Sequence, residues 1–148
     1  MKITICGSIA FIDEMLETKK KLEELGHEVM MPPTEVNDEN GRPIPAKKYY
    51  AIRKISDESA NWVWERKAEA IRTHFDKVVW ADAVLILNYD KNNVPHYIGA
   101  NTLLEMGLAF HHGKKIYLLN PIPGISYKEE ILGMRPSIVN GNLSLLNC

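Results

Sequence analysis

Glu105 stands in Gly99-Ala100-Asn101-Thr102-Leu103-Leu104-Glu105, the stretch of this chain richest in possible chemistry. Asn101 or Thr102 is a good helix N-cap, and Thr102 to Glu105 has the three-residue spacing of a capping box. On that reading Glu105 sits in the first helical turn and merely closes its own helix start. A second reading uses the same place. A helix N-terminus stabilises a carboxylate anion. A positioned, ionised carboxylate can attack an anomeric carbon or stabilise positive charge on one. Gly7-Ser8, running on to Ile9, offers the other half of such a site. Glycine lets a backbone approach a ligand closely, and amides at a helix start can cradle a phosphate. The plain alternative is a tight turn with Ser8 as N-cap. The dinucleotide fingerprint is incomplete, because positions 9 and 12 hold no glycine. No cofactor is expected.

Other polar residues are weaker candidates. Asn88-Tyr89-Asp90 opens a polar loop, 88 to 99, after an apolar run, where position alone brings side chains to a ligand. In the segment before that run, Ile71, Phe75, Val78, Val79 and Asp82 project together at about 100° per residue. His74 lies at the edge of that face and Asp76 points away, so His74 is the candidate, against an ordinary half-buried histidine. His111 and His112 are adjacent near a helix end and lack metal-ligand spacing. Trp62, Trp64, Tyr49 and Tyr50 suit base stacking, a core or a subunit contact. Cys6 and Cys148 are too few for a disulfide framework or a cysteine-rich zinc site, and no metal is expected.

These residues need a scaffold. Apolar runs at 2–6, 27–31, 83–87 and 115–119 read as strands. Helical spacing joins Ile12 to Leu25, with Gly26 closing it. It recurs over 46–81 in two helices broken near Asp57, and again over 101–112. Residues 34–46 read as a polar loop, and the C-terminal stretch holds a short helix and a last strand near 137–139. Alternating strands and helices give an α/β fold, a three-layer sandwich around a parallel sheet of four or five strands. The four main strands are expected in the order 2-1-3-4. Ligands bind such sheets beyond the carboxyl ends of the strands. An anion is therefore expected near Gly7 to Ala10 or the helix start at Asn101-Thr102.

The 148 residues fit one domain, 1–148. Eighteen basic and nineteen acidic residues leave a net charge of −1, so no nucleic-acid partner is expected. No apolar stretch approaches a membrane span. Met1 leads straight into the first apolar run, so a reduced, cytoplasmic protein is the expectation.

Ile5-Cys6-Gly7-Ser8-Ile9, Ala81-Asp82-Ala83-Val84-Leu85-Ile86 and Glu105-Met106-Gly107-Leu108-Ala109 resemble, in order and spacing, the nucleoside 2-deoxyribosyltransferase family. Within it they are most similar to the branch that hydrolyses 2′-deoxynucleoside 5′-monophosphates. The resemblance spans about residues 1 to 120. It implies a flavodoxin- or Rossmann-like fold, a homodimer or larger assembly, and a nucleoside or nucleotide as small-molecule partner. It implies that Glu105 attacks the sugar C1′ as the base leaves, with Gly7 and Ser8 beside the sugar or phosphate. His74 stands where the family carries a site aspartate, eight residues before Asp82. The loop from Asn88 to Ala100 is longer than the family's, and Asn101-Thr102-Leu103-Leu104 replaces its run of small residues.

Arg66-Lys67-Ala68 and Gly99-x-x-Thr102-x-x-Glu105 also resemble parts of the cytokinin-type phosphoribohydrolases, though that family's Pro-Gly-Gly core is missing. Both families cleave an N-glycosidic bond. The expected activity is thus N-glycosidase or base-exchanging glycosyltransferase. The alternative is a nucleotide-binding module without catalysis.

Overall fold

The structure, a computed structural model, describes residues 1–146; Cys148 lies outside the described residues. Its centre is set by two strands that have no polar face to offer water. In β1 (Lys2–Cys6) the last four residues are buried, and in β5 (Ala83–Ile86) all four are. A strand covered on both sides cannot alternate apolar and polar residues, so it becomes a continuous apolar run. Thr4 is the one buried polar residue in this pair, and its hydroxyl donates to the Lys77 carbonyl at 2.7 Å.

The sheet runs β2 (Glu28–Met30), β1, β5, β6 (Lys115–Leu118), β7 (Ser137–Ile138), with every neighbouring pair parallel. This is the order expected from the four main runs, with the fifth strand added at the edge. Ile3 pairs with Val29 on one side and Ala83 on the other, and Val84 pairs with Ile116. On one face α1 (Ile12–Glu24) packs Ile12, Met15 and Leu22 onto Ile3, Ile5 and Leu85. On the other, α3 (Asn61–Trp80), α4 (Ala100–His111) and α5 (Lys128–Gly133) bring Val78, Met106, Ala109 and Ile131 onto Cys6, Val84 and Leu118. Burial of these side chains on both faces, at roughly 25 cal/mol per Å² of apolar area, is what holds the three layers. No helix among the described residues is long and apolar enough to cross a membrane.

Two expectations need correction. Residues 34–46 are not simply loop: β3 (Glu35–Asn37) and β4 (Pro43–Pro45) form an antiparallel ribbon. Prolines are tolerated there because each strand has a free edge. Asp38 closes the turn, its carboxylate accepting from the backbone N–H groups of Asn40 and Arg42, both at 2.9 Å. Val79 does not share the buried face of α3. It lies about 100° round the helix from buried Val78 and is 42% exposed.

Candidate active site

Beyond the C-terminal ends of β1 and β5 lies a cavity of about 770 Å³. Three pieces frame it: the Gly7-Ser8-Ile9 turn, the pair α2 (Ala46–Ile55) and α3, and the start of α4. Of the candidates from sequence, Gly7, Ser8, Ile9, His74, Gly99, Asn101, Thr102 and Glu105 all line it.

Glu105 is not where a capping box would put it. The helix α4 starts at Ala100 with Gly99 as N-cap, and neither Asn101 nor Thr102 caps it. Glu105 therefore falls in the second turn, and the first turn holds no acidic residue. Its carboxylate does not fold back on a backbone N–H. Asn101, one turn earlier, donates its side-chain amide to Oε1 at 2.9 Å. The other oxygen, Oε2, is buried with no hydrogen-bond partner among the described residues.

Behind Oε2 stand His74 and Cys6. His74 Nε2 is 3.4 Å from Oε2 and 3.4 Å from Cys6 Sγ. This is not an ion pair at neutral pH. Burial pushes Glu105 up to about 8, against the opposing pull of the Cys6 thiol and the Lys67 cation. Burial and the Lys77 charge push His74 down to about 4, with the Ile5 backbone opposing. Burial, then the Glu105 charge, pushes the Cys6 thiol up. The three groups sit together as neutral acid, neutral imidazole and thiol. The expectation that the helix N-terminus keeps Glu105 ionised is thus overturned: the carboxyl lies past the first turn, where the dipole has faded, and desolvation dominates. Sγ, Nε2 and a carboxylate oxygen also lie within 4.8 Å of one another, a set able to hold a divalent cation. Residues 6, 74 and 105 come from three separate elements, so no sequence spacing announces them.

Gly7 is dictated by packing behind the turn. A Cβ there would stand 3.1 Å from the Leu87 carbonyl oxygen and 3.2 Å from Met15 Cε. Ser8 does cap the short 3-10 turn Ile9–Phe11, its hydroxyl accepting from Ala10 N–H at 3.2 Å. The same hydroxyl accepts from Lys91 Nζ at 2.7 Å.

Asn88, Tyr89 and Asp90 do not line the cavity. Asn88 is fully buried and ties two strand ends together, donating to the Asn120 and Pro121 carbonyls and accepting from Asn120 N–H. Tyr89 meets Phe11 edge-on at 5.3 Å. Asp90 accepts from His96 N–H at 3.0 Å within its own loop. Tyr89 packs with the core on the α1 face, and Asn88 is used up between strand ends, so position after a strand was not sufficient. His111 and His112 meet each other at the exposed end of α4. Tyr49 is buried and donates to the Val63 carbonyl at 2.7 Å, with Trp62 tilted against it. Trp64 donates its indole N–H to the Asp57 carbonyl.

The cavity also holds cations that the sequence reading did not single out as a group: Arg53 and Lys54 on α2, Lys67 on α3, and Lys91. Helical spacing carries the signal. Lys67, Ala70, Ile71 and His74 form one stripe of α3, and Tyr50, Arg53 and Lys54 one stripe of α2. Burial, the Arg53 charge and the Lys54 charge bring Lys67 down to about 8, against the pull of Glu105. Arg66 is spoken for: it pairs with Glu69 at 3.1 Å and donates to the Asn37 carbonyl, fastening the β3–β4 ribbon to α3.

No protein-family model matches the chain, and no curated protein matches it in sequence. Four chains of solved structures do match. One is a 2-deoxyribosyltransferase from the psychrotolerant bacterium Bacillus psychrosaccharolyticus, 17% identical with a TM-score of 0.51 over 80% of this chain and 71% of that one. Another is the CMP N-glycosidase BcmB of Clostridium botulinum, 16% identical with a TM-score of 0.46 over 93% of this chain and 85% of that one. The first likeness is one of fold: the α/β architecture with its five-stranded parallel sheet is that of the 2-deoxyribosyltransferase.

Proposed function

We propose that this chain cleaves the N-glycosidic bond of a nucleoside or nucleoside 5′-monophosphate, as a hydrolase or a base-exchanging transferase, with Glu105 as nucleophile. One observation carries the reading. A buried carboxyl group, with one oxygen unpartnered, faces a cavity shared with Gly7, Ser8 and Asn101 at the strand ends. A residue kept only to cap its helix would be turned toward its own backbone. The fold shared with a 2-deoxyribosyltransferase supports the same chemistry, as does the resemblance of residues 105–109 to that family's nucleophile motif.

The steps balance as follows. Glu105 first gives up its proton, which Lys67 favours by its charge. The carboxylate oxygen then bonds to C1′ while the C1′–N electrons leave with the base, which takes up a proton. Water, or a second base, displaces the carboxylate from C1′, and the water case releases one proton. Asn101 holds Oε1 throughout. His74, neutral and in contact with Oε2, is a positioning residue. A homodimer or larger assembly goes with this reading, and light scattering of the purified chain decides it.

The test is free-base release, followed by chromatography, from a panel of nucleosides and their monophosphates at several pH values. Turnover that Glu105→Ala and Glu105→Gln abolish supports the proposal. Equal turnover in wild type and Glu105→Ala ends it. The second reading, a binding module without catalysis, is favoured by one feature: Glu105 is held neutral beside a histidine that cannot act as a second carboxylate. Binding of the panel with no base release, even above pH 8, would establish it.

A further inference from the structure

Tyr50 is crowded by positive charge with which no carboxylate pairs among the described residues. Lys91 Nζ bonds its hydroxyl at 2.6 Å and lies 4.9 Å from its ring centroid. Arg53 and Lys54 each bring their charged heads to 5.0 Å from the same ring. Among the described residues, the ion pairs of lysine and arginine involve Lys19, Lys21, Lys47 and Arg66, so none of these three cations has a carboxylate within 4.0 Å. A ring face attracts a cation but does not cancel its charge. Three like charges gathered on one wall of a cavity are a cost in the empty protein, and an anionic ligand relieves it.

Resting on the glycosidase reading above, we infer that the wall around Tyr50 is a polyphosphate subsite, and that the chain takes a nucleoside 5′-di- or triphosphate in preference to the monophosphate. A single terminal phosphate brings about −1.5 to −2 at neutral pH, short of three positive heads; a second phosphate brings the balance level. Placement agrees with this. Lys91 also bonds Ser8 Oγ at 2.7 Å, so it joins the turn beside the reacting centre to the basic wall. Arg53 and Lys54 lie on α2 and line the same cavity, each 5.0 Å from the ring whose hydroxyl Lys91 bonds. Lys67 is left out of this set because its charge is needed by Glu105: a phosphate on Lys67 would cancel the cation that helps Glu105 ionise.

Calorimetric titration of the full chain carrying Glu105→Gln, which removes the proposed nucleophile, reads binding apart from turnover. The ligands are ribo- and 2′-deoxyribonucleosides of the four bases, with their mono-, di- and triphosphates, and inorganic pyrophosphate. Kd should tighten at least tenfold from mono- to diphosphate. Lys54→Gln and Arg53→Gln, each added to Glu105→Gln, should remove most of that gain and leave the nucleoside Kd within twofold. Lys54 is exposed and touches only the Tyr50 ring among the aromatic contacts, whereas Arg53 is half-buried and also lies against Tyr49, so the Lys54 variant decides if the Arg53 variant fails to fold. Equal Kd for mono- and diphosphates, or a gain that survives the Lys54 substitution, overturns the inference. Inorganic pyrophosphate bound as tightly as the nucleoside diphosphates would also overturn it, by making the wall a site for free anion. Base release by the wild type is scored apart. Monophosphate cleavage with a flat Kd series sinks the subsite alone, and a steep Kd series without base release sinks the glycosidase reading alone.

Discussion

Glu105→Gln should stabilise this protein, and more so the higher the pH. The wild-type carboxyl is raised from 4.5 to about 8 by burial. Between those values the folded chain keeps a proton that the unfolded chain has lost, so wild-type stability falls as pH rises through the window. The rise from 4.5 to about 8 corresponds to about 5 kcal/mol at about 1.4 kcal/mol per pH unit. That is a ceiling, since water entering the cavity would relieve part of it. Glutamine keeps the oxygen that accepts from Asn101 and never ionises, so it escapes the penalty. His74 titrates the other way: it is lowered to about 4, so its contribution grows as pH rises from there to its ordinary 6.5. It is present in both proteins and cancels in the comparison. Urea denaturation of both proteins at pH 4.5, 6, 7.5 and 9 checks this. The two should match near pH 4.5 and differ by roughly 2–5 kcal/mol at pH 9. A difference that stays constant across the series, or a wild type that gains on the variant, would refute the desolvation argument.

Four further outcomes follow from the same geometry. On the proposed mechanism Glu105 attacks in its ionised form, so kcat/KM should rise with pH through about 8 in the free protein, and Lys67→Met should move that midpoint upward in a pH–rate profile. Glu105→Ala should cost at least about a hundredfold in base release, as loss of a covalent nucleophile typically does, and His74→Ala distinctly less, measured under identical conditions. Gly7→Ala should destabilise by about 1–3 kcal/mol in chemical denaturation, because its Cβ would press on the Leu87 carbonyl. Asn88→Ala should lower the melting temperature, by about 1–3 kcal/mol of stability for its lost buried bonds, while base release per folded molecule stays level.

What the sequence made legible was whatever depends on local pattern. The run at Ile3–Cys6, interrupted only by Thr4, and the unbroken apolar run at Ala83–Ile86 announce strands buried on both faces, and the two stand side by side at the centre of the sheet. His74 was picked out by its position on the α3 helix face, and it is buried at the cavity. Glu105 was found for partly mistaken reasons. The cap at Gly99, two residues before Asn101 and three before Thr102, moved it out of the first turn and out of any capping box. Its burial, which favours the protonated carboxyl, brings it against Cys6 of β1 and His74 of α3. The β3–β4 ribbon was hidden because Pro43 and Pro45 argue against strands, and only the Asp38 turn makes the pairing possible. Asn88 looked available because it follows a strand, yet its amide is consumed by Asn120 and Pro121, thirty-two and thirty-three residues on. A non-local bond of that kind leaves no periodic trace.

The deepest feature of the site, a division of charge, belongs to this non-local class. One wall carries the cations Arg53, Lys54 and Lys91 around Tyr50, and the floor carries a carboxyl that burial keeps protonated. Lys67 lies between them, drawn down to about 8 by burial and by Arg53, and held up by Glu105. A carboxylate formed on the floor would raise the proton affinity of Lys67, and a charged Lys67 favours the carboxylate, so the two ionise as a pair. An anion seated on the Tyr50 wall acts on that pair through Arg53 and Lys54. Neutralising them would remove the part of the Lys67 depression that comes from repulsion and leave the larger part due to burial, and a more firmly protonated Lys67 would in turn favour loss of the proton from Glu105. A ligand with its negative charge confined to the far wall would thus help Glu105 to ionise. The same charge placed against Glu105 would disarm it.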